Sequence, residues 1–335
     1  MSLYTLVVPL LLYATSFVGQ TSAQISGLAW HGAENGYGLL FNVGIDRQKP
    51  KEATIQWGTV DTTNVKFQNF TGPSLLYTEE NMLCWASQDG LGHWFDLDEL
   101  EEINYFGPPY DTGTNVVAFA DQADGYALWI VNDVSNTKLS VNELDPNTLQ
   151  LHHKFDVGMK DTTDVLVMDN FNNMLLYTEA DGFLFVDKNR THPGKSMRRG
   201  GFATTQAKST CKGTPVALSY PWGWPEEEDL YAVITREGDN IFHASSYNTS
   251  THECKLGYTF DLSDSHWTSS EWAANEDAVF QWMDAYHALV VKTNEKLFYA
   301  LPGGSGPAAP PTIVDLTHKL GVKPSSILAL VSMMY

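Results

Sequence analysis

Apolar positions fall along this chain in short runs, rich in Val, Leu, Phe, Tyr and Trp and bounded by Asp, Asn, Gly and Pro. Scarcely any stretch carries the 3.6-residue period of an amphipathic helix, so the pattern predicts an all-β protein. A weak internal repeat lies over it: an apolar strand ends in an acidic residue, a short polar turn follows, and a second apolar strand begins. Copies begin at Ser74 (SLLYTEENMLCWAS), Val116 (VVAFADQADGYALWIV), Asp164 (DVLVMDNFNNMLLYTEADGFLFVD) and Ala278 (AVFQWMDAYHALVVKTNEKLFYAL). Looser copies begin at Val216 and Ser26. Their starts lie roughly 40 to 60 residues apart, the length of one four-stranded propeller blade. The expected fold is a single β-propeller of six four-stranded blades, with seven as the alternative count. The apolar run ILALVSMMY, Ile327 to Tyr335, is expected to be an innermost strand that completes the blade begun by the N-terminal segment. Such closure removes exposed strand edges.

The N-terminus departs from this rhythm. Leu3 to Ala14 (LYTLVVPLLLYA) is continuously apolar and precedes the small-residue stretch Thr21-Ser22-Ala23. The run is too short to cross a bilayer of about 30 Å and ends in a cleavage pattern, so residues 1–23 read as a secretory signal peptide. The mature chain, 24–335, is then a secreted, extracellular propeller without a membrane span.

Charge and cysteine content narrow the partners. Forty acidic against twenty basic residues give a net charge of −20, which repels phosphate backbones and excludes nucleic acid as a partner. The three cysteines rule out a small disulfide scaffold. Cys211 and Cys254 lie in polar stretches where strand ends could meet, and pairing them would stabilise by roughly 4 kcal/mol on the chain-entropy model. Cys84, in the apolar run NMLCWA, reads as a buried thiol. Three N-x-Ser/Thr sequons, at Asn69, Asn189 and Asn248, adjoin turn-like sequence and suit glycosylation of a secreted surface.

The segment MDNFNNMLLYTEADGFLFVDKN, Met168 to Asn189, resembles the LDL-receptor class B, or YWTD, repeat. Leu176-Tyr177-Thr178-Glu179 stands where that tetrapeptide would be; the Trp is missing and Glu replaces the final Asp. The resemblance implies a six-bladed propeller, a group that includes the calcium-dependent lactonases and the secreted yellow/royal-jelly proteins. Function does not follow from it.

Candidate chemistry sits in two sets. Glu79, Asp121, Asp169 and Asp284 close the first strand of successive repeats. If Asp121, Asp169 and Asp284 point into the central channel, they would gather a hard cation such as calcium; otherwise each caps its own turn. No resident cofactor is indicated, and calcium is the one cation admitted. Trp222, Trp224, Trp267 and Trp272 crowd near turns and form the candidate ligand-binding set, their rings suited to a small cationic ligand in an acidic surround. His152 and His153 are adjacent and, in a strand, face opposite ways; His31, His93, His243 and His287 read as core or rim. There is no G-x-S-x-G elbow, H-E-x-x-H, P-loop or dinucleotide fingerprint. The expected function is non-enzymatic binding of an extracellular protein or small ligand at one propeller mouth. The alternatives are a calcium-dependent lactonase- or esterase-like hydrolase, and a structural matrix or cell-surface role.

Overall fold

The computed structural model describes residues 23–31, 37–46, 49–60, 76–77, 82–86, 91–96, 110–111, 116–121, 128–144, 148, 150–161, 165–168, 173–187, 203–219, 230–263, 278–283, 287–303 and 309–333. Among these, six four-stranded sheets form, every neighbouring pair antiparallel. The first in chain order joins both ends of the chain: β24 (Ile327–Met333), β1 (Ala23–His31), β2 (Tyr37–Ile45) and β3 (Ala53–Val60). The next two hold β4 (Leu76–Tyr77), β5 (Met82–Ala86), β6 (Leu91–Asp96) and β7 (Tyr110–Asp111), then β8 (Val116–Asp121), β9 (Leu128–Ser135), β10 (Lys138–Leu144) and β11 (Leu151–Gly158). The fourth holds β12 (Val165–Met168), β13 (Met174–Thr178), β14 (Gly182–Asp187) and β15 (Ala203–Ala207), and the fifth β16 (Thr214–Ser219), β17 (Leu230–Glu237), β18 (Ile241–Asn248) and β19 (Glu253–Asp261). The sixth holds β20 (Val279–Met283), β21 (Ala288–Lys292), β22 (Leu297–Leu301) and β23 (Thr312–Asp315). Strands β4, β8, β12, β16, β20 and β24 are innermost: β24 meets β4 and β20, and β12 and β16 meet the innermost strands on either side. This is a single β-propeller. Among the described residues no helix is long and apolar enough to cross a membrane.

The strands read as continuous apolar runs because each middle strand is buried on both faces. In β21, Ala288 and Val290 pack toward the closing sheet while Leu289 and Val291 pack toward β16–β19. Strand β22 divides the same way, with Leu297 and Tyr299 on one side and Phe298 and Ala300 on the other. The period of two survives as an alternation between two cores rather than between core and solvent. Outer strands are more open to solvent, with the consecutive residues His152, His153 and Lys154 all exposed on β11. As the spacing requires, His152 and His153 take successive register positions, opposite Glu143 and Asn142.

Ring closure follows expectation, with β24 innermost and paired to β1 from Gln24↔Met333 to Ala29↔Ile327. The expected repeat start at Ser26 needs correcting: that residue lies in the second strand of its sheet, because the first is supplied by the far end of the chain. The Gln281 side-chain amide donates to the Leu330 carbonyl and the Tyr299 hydroxyl to the Pro50 carbonyl (2.6 Å), so the last sheet is tied to the closing sheet at both inner and outer levels. Phe41 lies across Gly27, its register partner, where any Cβ would collide with the phenyl ring. Pro215 sits at a bulge of innermost β16, whose open edge tolerates the missing N–H.

Leu330→Ala, in the closing strand's buried cluster, is expected to cost about 2–5 kcal/mol. Leu256→Ala, at a side chain 48% exposed on β19, is expected to stay within about 0.5 kcal/mol of wild type. Urea unfolding of both variants checks the contrast.

Candidate functional site

Chain direction alternates across each antiparallel sheet. The connection leaving an innermost strand and the one arriving at the next innermost strand therefore lie at opposite ends of the ring. Asp121 is the last residue of β8, and Asp169 and Asp284 follow directly in sequence on Met168 of β12 and Met283 of β20. Asp121 therefore lies at the end where innermost strands finish, here termed the exit mouth. Asp169 and Asp284 themselves lie outside the described residues, as do Glu79, Trp222, Trp224, Trp267, Trp272, Asn69, Asn189 and residues 1–22.

The four tryptophans fall in two different connecting segments of the sequence. Trp222 and Trp224 belong to the segment joining Ser219 of β16 to Leu230 of β17, which connects strand ends at the exit mouth. Trp267 and Trp272 belong to the segment leading from Asp261 of β19 to Val279 of β20, which connects strand ends at the opposite face.

Near the first of these segments' neighbours, a ring stack forms at the start of β21. His287 closes the β20–β21 connection with a left-handed backbone (φ 50°) and lays its exposed imidazole on Tyr258, centroids 4.8 Å apart at 23°. Trp282 of β20 lies 6.1 Å from His287 and 6.0 Å from Tyr258. Periodicity could place His287 near the rim but could not foresee its contact with Tyr258, which comes from the preceding sheet.

Two polar clusters tie connecting segments to the sheets they enter, and neither was legible as a motif. Buried Asp181, in the β13–β14 turn, accepts the Lys160 backbone N–H (2.7 Å) and pairs with the Lys160 ammonium (2.9 Å). Gln206 donates to its carbonyl (2.9 Å) and its Oδ1 (3.2 Å), while the Asp181 N–H donates to the Thr178 hydroxyl oxygen (2.9 Å). The side-chain bond to Lys160 is the largest cause holding the Asp181 carboxyl below its ordinary range, followed by the Lys160 backbone N–H; desolvation opposes both.

The equivalent turn of the next sheet carries Glu237, whose Oε2 lies 2.7 Å from the Lys212 ammonium and 2.9 Å from Nε2 of buried His243. Nδ1 of His243 lies 3.1 Å from the Thr259 hydroxyl. The partners set the roles: Nε2–H donates to the carboxylate, leaving Nδ1 to accept from Thr259 in the neutral ring. Lys212 first, then His243, holds the Glu237 carboxyl below its usual range. The register explains the assembly, since Thr235, His243 and Thr259 are cross-strand partners on one sheet face.

The expected Cys211–Cys254 bridge forms, with Cα atoms 5.0 Å apart. It joins the segment between β15 and β16 to outermost β19 and lies beside Tyr177, Phe183, Tyr231 and Tyr247. Burial pushes the Tyr247 hydroxyl up to about 12. Among the described residues no group of three or more His, Cys, Asp or Glu side chains is placed to hold a metal ion.

No protein-family model and no curated protein sequence matches the chain. The resemblance to class B repeats therefore supports the propeller and nothing finer. Among solved structures, a protein from Lactobacillus plantarum is similar with a TM-score of 0.51 at 12% identity, over 88% of this chain and 81% of that one. The Cps50 (Swd1) β-propeller domain of Myceliophteria thermophila has a TM-score of 0.39 at 11% identity, over 78% and 71% of the two chains. A periplasmic gluconolactonase of Pseudomonas aeruginosa has a TM-score of 0.46 at 10% identity, over 93% and 99%. At these identities the likeness concerns the fold alone.

Because the folded carboxyl of Asp181 titrates below its unfolded value, its stabilisation is full above the ordinary aspartate range and is lost as pH falls through the depressed value. Asp181→Asn is expected to lower stability at neutral pH by about 1–3 kcal/mol through the weakened acceptor. It should also flatten the loss of stability between about pH 5 and pH 2. Urea midpoints of wild type and variant across that range are the measurement; parallel curves would refute the assignment.

Proposed function

We propose that this chain is a secreted ligand-binding propeller that takes a small cationic ligand at the exit mouth. Support comes from the sheet order: Asp121 ends innermost β8, Asp169 and Asp284 follow directly in sequence on the last residues of innermost β12 and β20, and Trp222 and Trp224 fall in sequence between β16 and β17. Carboxylates converging on a concave opening attract a cation, aromatic faces add cation–π attraction, and a net charge of −20 raises the local cation concentration. Trp267 and Trp272, which fall in sequence between β19 and β20, are then left to contact an extracellular protein partner.

A second chemistry fits the same three aspartates. They would hold calcium as oxygen ligands, and the bound ion would supply Lewis-acid polarisation of a lactone or ester carbonyl. Lactone hydrolysis is the activity named for the Pseudomonas aeruginosa neighbour. In both cases the mouth works by collecting positive charge; the two differ in whether the cation is the ligand or the assistant.

Thermal melting of the purified mature chain, with chelator and then with millimolar calcium, separates them, because a ligand held only by the native state raises the melting temperature. Calorimetry with small amines and turnover of a lactone and ester panel complete the test. Cation capture predicts amine binding weakened about tenfold (about 1.4 kcal/mol) by Asp169→Asn and no calcium shift. Calcium-supported hydrolysis predicts a shift of several degrees and turnover that Asp169→Asn abolishes. A mouth that binds neither amine nor calcium overturns both and leaves the structural role.

A further inference from the structure

We infer that Asn248 carries an N-linked glycan, presented by a surface turn that engages its side-chain oxygen and leaves that turn's hydrogen bonds independent of the nitrogen. Asn248-Thr249-Ser250 has the N-x-Ser/Thr acceptor pattern, and Asn248 is the one sequon asparagine of the three among the described residues. It ends β18, and the tight turn to β19 follows. Its Oδ1 accepts the backbone N–H groups of Ser250 and Thr251, both at 2.8 Å, and its own carbonyl accepts the His252 N–H at 2.8 Å. Two donors converging on one oxygen fix the plane of the side-chain amide, as in an Asx turn. With Oδ1 committed to the turn, Nδ2 lies in the same plane and is directed away from those two donors. Asn248 is half-buried and Thr249 buried, whereas Ser250, the sequon's hydroxyl residue, and Thr251 are exposed, so the turn that carries the acceptor lies at the surface.

The modification leaves the turn intact. In the transfer, Nδ2 forms a bond to the anomeric carbon of a lipid-diphosphate-linked oligosaccharide, the bond from that carbon to the diphosphate oxygen breaks, and one Nδ2 proton is lost to base. Nothing is oxidised or reduced. Oδ1 remains a carbonyl oxygen in the product, so both hydrogen bonds from Ser250 and Thr251 survive. The glycan then stands on the outermost hairpin of its sheet, one register position from Cys254, and leaves the innermost strands clear.

This inference rests on the secretory reading of residues 1–23, and the experiment keeps the two apart. The full chain is expressed in a glycosylating secretory host, purified from the medium, and the peptides containing Asn69, Asn189 and Asn248 are weighed before and after treatment with peptide-N-glycosidase. Wild type is expected to lose one glycan mass from the Asn248 peptide. Ser250→Ala, which destroys the acceptor pattern while leaving Asn248 and the backbone donors in place, is expected to lack that glycan and melt with a cooperative transition. Asn248→Asp, which keeps the oxygen acceptor and removes the nitrogen, is expected to do the same. An unmodified Asn248 in a chain whose Asn69 or Asn189 is glycosylated overturns the inference alone. A secreted chain with all three asparagines unmodified likewise overturns the inference alone, and a chain that never reaches the medium overturns it together with the secretory reading.

Discussion

A sheet wedged between two others must be apolar on both faces, and in this molecule that requirement governs nearly everything else. The four described clusters each lie between neighbouring sheets: β8–β11 against β12–β15, β12–β15 against β16–β19, β16–β19 against β20–β23, and β20–β23 against the closing sheet. The core is a series of layers rather than a single centre. A chain built this way is stable only if every sheet has a neighbour on each side. The last neighbour is made by β24, which lends the N-terminal strands the innermost strand they lack.

With both faces of the middle strands committed to packing, polar chemistry is displaced to the turns, the connecting segments and the two mouths. Lys160–Asp181 and Lys212–Glu237 occupy equivalent places in adjacent sheets, each pinning an incoming segment to the second turn of the sheet it enters. They are unequal in kind. Asp181 is buried and accepts several donors, so losing it leaves those donors unsatisfied, whereas Glu237 is 41% exposed and its pairing with Lys212 is screened by water. His243 gives Glu237 a second partner and reaches Thr259 with its other nitrogen, extending the tie across the sheet. The Cys211–Cys254 bridge does covalently for the same connecting segment what the lysine does electrostatically.

This division of labour bears on function. The innermost strands offer their ends to the mouths, where residues are free of packing duties and can hold charge. Asp121 closes innermost β8 at the exit mouth, and His287 stands at the equivalent connection from β20 to β21. Such an arrangement lets one face vary without disturbing the layers between.

Strand-length apolar runs, Asp/Asn/Gly punctuation and a repeat of acid-terminated strands were enough to foresee an all-β propeller, its closure by Ile327 onward, and the pairing of Cys211 with Cys254. Those features are local, or follow from the need to leave no open edge, so they are written in the order of residues. Other features are set by register and by which sheets become neighbours. Asp181 reaches Gln206, Glu237 reaches Lys212, and His287 stacks on Tyr258 of another sheet, through contacts that no spacing along the chain encodes. The start of the first repeat was misplaced at Ser26 for the same reason, its true first strand lying some 300 residues away in sequence. The sequence by itself determined which segments become strands and that they must bury two faces; the tertiary structure alone decided which polar groups meet, since that depends on strand direction and on the neighbour each sheet acquires when the ring closes.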